Sequence, residues 1–140
     1  MTVKQNQDQS SGSPLPSRFY RSVRVERDLS SAGSLAGYQV TPQVRALLLR
    51  IAHGLGSEGS ERAWTVTGPY GSGKSAFALM AAHVFSEHSD SDSAAWSLLR
   101  SADPAQAALL ADISVGRRLL PVVATLRRVP LRISLLEAVQ

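Results

Sequence analysis

Eight residues, 68–75, combine the backbone freedom and the side chains that a phosphate-binding loop requires. They read Gly-Pro-Tyr-Gly-Ser-Gly-Lys-Ser and match the pattern G-x-x-x-x-G-K-[ST] at every fixed position. Because glycine has no Cβ, successive backbone N–H groups in such a loop can turn towards one anion. Lys74 supplies a positive charge for the β- and γ-phosphates, and Ser75 supplies a hydroxyl that can ligate Mg²⁺. The motif therefore predicts a site for a nucleoside triphosphate with magnesium.

The predicted contacts are divided between the backbone and the side chains of this loop. The helix expected to start near Lys74 would add its unpaired N–H groups and the positive end of its dipole. Tyr70 and Ser72 occupy variable positions and are expected to shape the loop, and Tyr70 is also a candidate contact for the nucleotide or a neighbouring subunit. The complete predicted nucleotide site consists of Gly68, Tyr70, Gly71, Ser72, Gly73, Lys74 and Ser75, with Ser75 as the magnesium ligand.

The residues on either side of the loop fit a strand–loop–helix unit. The β-branched run at 63–67 predicts a strand before the loop, and a second strand is predicted at 119–126. After the loop, one helical face is apolar, at Phe77, Met80, Ala81, Val84 and Phe85. Strands that alternate with helices predict an α/β fold with a parallel sheet and flanking helices.

Four further helices are predicted from local signals. Thr41 is placed as the N-cap and Pro42 as the first residue of a helix over 41–53, which ends at Gly54 or Gly56. Asp103 is likewise the predicted N-cap of a helix over 104–112. The other two helices are predicted at 94–101 and 132–140.

The N-terminal part of the chain is predicted to contain a disordered leader, an arm and a helix. Residues 1–17 are rich in Gln, Ser, Gly and Pro and predict a disordered leader, and residues 18–58 form an arm and a helix. Phe19, Val23 and Val25 alternate, which favours an extended arm. Arginines recur in this arm, and the hypothesis that they bind nucleic acid stays open beside that of a solvated charged surface; they are Arg18, Arg21, Arg24 and Arg27.

The loop at 68–75 resembles the Walker A loop of P-loop NTPases, over roughly residues 63–86. The sequence from Thr67 to Ser75 is most similar to that of large bacterial AAA-type or STAND-type ATPases, in which a helix precedes the first strand. The resemblance implies ATP and Mg²⁺ as ligands, with Lys74 on the phosphates and Ser75 on the metal. On this interpretation residues 59–140 are a truncated P-loop NTPase domain, since such a sheet usually has about five strands, and the chain is the N-terminal segment of a larger ATPase.

The sequence departs from that family in having no evident acidic strand end to hold magnesium and position water. Asp112 ends an apolar run, but the run is alanine-rich and predicts a helix. Hydrolysis is therefore left undecided, and no arginine finger is assigned among Arg117, Arg118, Arg127 and Arg128. Two alternatives are a small-molecule kinase and a nucleotide-switched module that binds DNA or protein. A dinucleotide fingerprint from Gly71 to Ala76 is disfavoured because it leaves Lys74 without a role.

Composition sets the remaining limits. The chain of 140 residues has a net charge of +4 and no cysteine, which excludes disulfides and cysteine metal sites. The three histidines lack the spacing of metal ligands, and no Ser/His/Asp triad is suggested. No apolar stretch approaches the length of a membrane span, and no apolar signal segment follows Met1, which together favour the cytoplasm. Oligomerisation stays open.

Overall fold

The computed structural model describes residues 23–31, 33–56, 62–89, 92–114, 119–124 and 131–139. In this part of the chain the regular elements are helices, in the order α1 (Val25–Asp28), α2 (Pro42–Gly56), α3 (Lys74–Ser86), α4 (Ala94–Ala102), α5 (Pro104–Ser114) and α6 (Leu131–Val139). None of the described helices is both long enough and apolar enough to cross a membrane.

Side-chain caps fix the starts of three helices. The Val44 N–H donates to Thr41 Oγ1 over 3.3 Å at the start of α2, and the Trp96 N–H donates to Ser93 Oγ over 3.2 Å at the start of α4. The Gln106 N–H donates to Asp103 Oδ1 over 3.0 Å at the start of α5. Each oxygen satisfies an amide that has no acceptor inside its own helix. The predicted caps Thr41 and Asp103 are thus confirmed. α2 extends to Gly56, one of the two predicted ends, but neither Gly54 nor Gly56 has the positive φ angle of the predicted left-handed cap.

The core lies between the helices. In the described chain α5 packs against α2 and α4, and α3 packs against α1 and α4. The side chains that are almost completely buried come from α2, α3, α4 and α5 and include Leu48, Met80, Val84, Trp96, Leu99 and Leu110. The predicted apolar face of α3 is confirmed, because Phe77, Met80 and Val84 are buried. Tyr38 packs at the edge of this core, and burial raises the pKa of its phenol because the phenolate is poorly solvated there.

The predicted α/β fold with a parallel sheet, interpreted as an incomplete P-loop NTPase core, is wrong. The described residues contain no strand and no sheet. Residues 62–69 and 119–124 have no regular secondary structure, and the two runs exchange no backbone hydrogen bond. The Leu119 N–H donates instead to the Phe85 carbonyl oxygen over 2.9 Å, at the end of α3. Strand propensity in residues 63–67 is local, whereas a strand forms only with a partner that accepts its backbone hydrogen bonds.

The N-terminal arm is also only partly as predicted. Val25 lies in the short helix α1, not in an extended segment, because Asp28 accepts the Arg24 N–H through Oδ2 over 2.9 Å and closes a helical turn. The 1–17 leader, Arg18 and Arg21 lie outside the described residues. The helix predicted at 132–140 is confirmed as α6, although the last residue, Gln140, lies outside the described chain.

Candidate functional site

The loop between residues 68 and 73 has the backbone conformation that its glycines allow. Gly71 and Gly73 have φ angles of +81° and +83°, in the left-handed region that other residues rarely adopt. The Ser72 N–H donates to the Pro69 carbonyl oxygen over 3.3 Å, which closes a turn across Tyr70 and Gly71. Gly68 is constrained in a different and weaker way, because a Cβ placed there would lie 2.9 Å from Ser72 Oγ, the end of a side chain that can rotate.

The start of α3 differs from the starts of the capped helices. Its N-cap is Gly73, in the left-handed conformation and without a side-chain hydrogen bond. The first helical bond runs from the Phe77 N–H to the Gly73 carbonyl oxygen over 2.8 Å. The N–H groups of residues 73–76 therefore have no acceptor inside the helix. They supply donors and a partial positive charge at the end of the loop.

Lys74 is the first residue of α3, and its side chain folds back over the loop. Lys74 Nζ donates to the Gly68 carbonyl oxygen over 2.9 Å and to the Pro69 carbonyl oxygen over 2.7 Å. Its third contact, to Ser72 Oγ, is 3.4 Å long and therefore weak. The ammonium group thus fixes its charge beside the loop backbone and keeps one N–H only loosely engaged.

Ser75 and Tyr70 complete the predicted set in different ways. Ser75 is exposed in the first turn of α3, directly after Lys74. A single hydroxyl fits Mg²⁺ only together with phosphate and water oxygens, which is the usual environment of this ion. No group of three or more His, Asp or Glu side chains that could hold a metal occurs in the described part of the chain. Tyr70 is 97% exposed and contributes no packing to the loop.

Other predicted residues are not brought to the loop. Asp112 lies exposed within α5, in agreement with the predicted helix. Arg27 Nε donates to Asp28 Oδ1 over 3.0 Å, so one arginine of the arm is engaged by an acid on its own helix. Arg117, Arg118, Arg127 and Arg128 lie outside the described residues.

A chain of side-chain hydrogen bonds joins the turn before α2 to the end of α3, and the sequence did not indicate it. Ser34 Oγ lies 3.1 Å from His83 Nε2, and His83 Nδ1 lies 2.8 Å from Glu87 Oε1. The i, i+4 spacing of His83 and Glu87 is visible in the sequence, but Ser34 is 49 residues away from His83. Hydroxyl, imidazole and carboxylate stand in the order used to activate a serine. Here the three groups also tie the 33–37 turn to α3.

The site assembled by the fold is therefore a glycine loop, a lysine folded onto it and an uncapped helix start. Every element of this site comes from residues 68–76, so its geometry is set locally. Comparison of the chain with protein-family models, with curated proteins and with solved structures found no match.

Proposed function

We propose that residues 68–75 bind the phosphates of ATP together with Mg²⁺. The observation that carries the proposal is the uncapped start of α3. α2, α4 and α5 each begin at a side chain that accepts an amide hydrogen bond, whereas α3 begins at Gly73 without one. Four amides thus remain available to an anion at the point where the helix dipole is positive.

The glycines make these amides accessible. No atom lies within 4 Å of a Cβ built on Gly71 or Gly73, so the space beside both residues is open. Their positive φ angles turn the chain so that the loop leads directly into the helix. A phosphate group can approach the backbone here without meeting a side chain, which is what a nest of N–H donors requires.

Lys74 supports the proposal through the position of its ammonium group. Its contacts with the carbonyl oxygens of Gly68 and Pro69 hold the charge against the loop before any ligand arrives. The weak third contact leaves one donor for a phosphate oxygen. Because the charge is already positioned, little side-chain entropy is lost when the phosphate binds.

The magnesium ion would be held by Ser75 and by phosphate oxygens, and it would neutralise part of the phosphate charge. Ser75 is exposed at the same helix start as the free amides, which supports a role for its hydroxyl beside them. The proposal concerns binding. Hydrolysis is not part of it, because no acidic partner for the metal is assigned.

Isothermal titration of the chain with Mg-ATP tests the proposal. We expect Lys74→Ala to weaken binding at least tenfold, which corresponds to about 1.4 kcal/mol, because the charge beside the phosphates is lost. Arg132→Ala is the matched control, since it removes one positive charge from an exposed position on α6 and should leave the affinity unchanged. Circular dichroism checks that both variants are folded. Equal affinity of Lys74→Ala and the wild type would contradict the proposal.

A further inference from the structure

A cavity of about 440 Å³ lies between α2 and the residues that lead into the loop. α2 contributes Leu47, Arg50 and Ile51 to its wall, the run before the loop contributes Trp64 and Val66, and α3 contributes Phe77. The volume lies within the range of sites that bind small molecules.

The cavity wall includes residues that flank the loop in the sequence, one before it and one after it. Val66 precedes Gly68 by two residues, and Phe77 follows Lys74 by three, which places it one helical turn further along α3. Residues 64–77 thus contribute both the loop and part of the cavity wall. A nucleotide has two chemically different ends, an anionic triphosphate and an aromatic base, and this stretch of chain offers a surface of suitable chemistry for each.

The lining of the cavity suits a flat, aromatic ligand. Trp64 and Phe77 contribute aromatic side chains to the lining, and Leu47 and Ile51 contribute aliphatic ones. Leu47 is 39% exposed and Val66 is 44% exposed, so apolar surface on opposite walls stays uncovered. Bases stack on aromatic side chains, and a guanidinium such as that of Arg50 interacts with the same ring faces.

The indole of Trp64 also carries a polar group without a partner, as does the indole of Trp96 in the core. The Trp64 Nε1 atom is buried and has no hydrogen-bond partner among the described residues. A buried donor without an acceptor is costly, whereas ring nitrogens and carbonyl oxygens of nucleobases are acceptors. The indole must turn to reach a ligand, since Nε1 is covered in the present arrangement, and such a turn would satisfy the donor.

We propose that this cavity receives the nucleobase of the nucleotide whose phosphates are bound by residues 68–75. The proposal rests on the proposed function of the loop and adds a second point of contact to it. The loop then holds the anionic end of the nucleotide, and the cavity between α2 and α3 holds its heterocycle. The affinity for a whole nucleotide exceeds that for its phosphates alone.

Two ligands separate the cavity from the loop: Mg-ATP, which has a base, and magnesium tripolyphosphate, which has none. Trp64 is one of only two tryptophans in the chain, and the other, Trp96, is 1% exposed in the core. We expect Mg-ATP to change the tryptophan emission and to bind at least tenfold more tightly than tripolyphosphate. Tripolyphosphate should bind without changing the emission, because it does not reach Trp64.

Variants of Trp64 test the same point from the protein side. Trp64→Ala should weaken Mg-ATP binding about tenfold and leave tripolyphosphate binding unchanged. Trp64→Phe should lose less of the affinity for Mg-ATP, because it keeps an aromatic ring. Equal affinities of the wild-type chain for the two ligands would overturn the cavity proposal and leave the loop proposal standing. Failure of both ligands to bind would overturn the proposed function itself. The wild-type comparison needs no variant, so it holds even where Trp64→Ala unfolds.

Discussion

Three glycines shape the loop, and they do so for two different physical reasons. Gly71 and Gly73 adopt positive φ angles but have open space around them. Gly68 has no such angle, and its hydrogen faces Ser72 Oγ, where a methyl group would be too close. A motif that fixes glycine at 68 and 73 thus encodes two constraints, one steric and one conformational.

Substitution by alanine should separate these constraints. We expect Gly73→Ala to lower the free energy of unfolding by about 1–2 kcal/mol, the approximate cost of a left-handed residue with a Cβ. Gly68→Ala should cost less, and its cost should largely disappear in a Ser72→Ala background, because the hydroxyl that it meets is then gone. Urea denaturation of the two single variants and the double variant measures this coupling. An equal cost of Gly68→Ala in both backgrounds would show that the contact with Ser72 is not the cause.

At the scale of elements, the N-cap of α5 also serves the packing of α5 against α2. Asp103 Oδ1 accepts the Gln106 N–H, and Asp103 Oδ2 lies 3.6 Å from an Arg45 guanidinium nitrogen on α2. Arg45 Nε donates in turn to Gln106 Oε1 over 3.1 Å. One carboxylate therefore caps a helix and positions its neighbour.

The two roles of Asp103 can be measured separately. Asp103→Asn keeps a capping oxygen and removes the charge opposite Arg45, whereas Asp103→Ala removes both. We expect Asp103→Ala to lower the free energy of unfolding by about 1–2 kcal/mol and Asp103→Asn by less than half of that. Thermal or urea denaturation provides the values. Indistinguishable losses in the two variants would mean that the cap contributes nothing.

The bonded chain of Ser34, His83 and Glu87 is another feature of elements, not of sequence motifs. It connects the turn at 33–37 to His83 in the last turn of α3 and to Glu87, the C-cap residue. His83 is 17% exposed and Glu87 is 33% exposed, so both remain within reach of solvent. The i, i+4 spacing of His83 and Glu87 is visible in the sequence. The contact of Ser34 with His83 depends on how the turn at 33–37 packs against α3.

At the scale of the molecule, the described chain is built from packed helices, and the described parts of the two predicted strands do not pair with each other. Amide hydrogen exchange tests this arrangement. We expect the amides of 62–67 to exchange rapidly, because none of them donates to a described backbone carbonyl, and Leu119 to be protected by its bond to Phe85. The amides within α3 should exchange slowly in the same experiment. Protection at alternate positions of 63–67 would instead indicate a sheet and contradict the structure.

The elements that the sequence predicted correctly depend on neighbours within one helical turn. Thr41 bonds Val44 and Asp103 bonds Gln106, each three residues away, and the buried positions of α3 recur with the helical period. The glycine turn that leads into α3 is also local, since Gly71 and Gly73 lie within three residues of the helix start. The contact of Lys74 with phosphate stays a prediction, although its Nζ does contact residues only five and six positions back. Such features are determined by contacts between residues that are close together in the sequence.

The tertiary structure decided whatever needs a distant partner. Residues 63–67 have the composition of a strand, yet a strand also requires another segment alongside it to accept its backbone hydrogen bonds, and composition cannot supply that segment. The cavity beside Trp64 and the bond from Ser34 to His83 likewise join residues that are far apart in sequence. The sequence by itself determined the loop and the helix ends, because their energies are local. Packing alone determined which surfaces meet. The free energy of burying apolar side chains between helices is gained only once the helices are in contact.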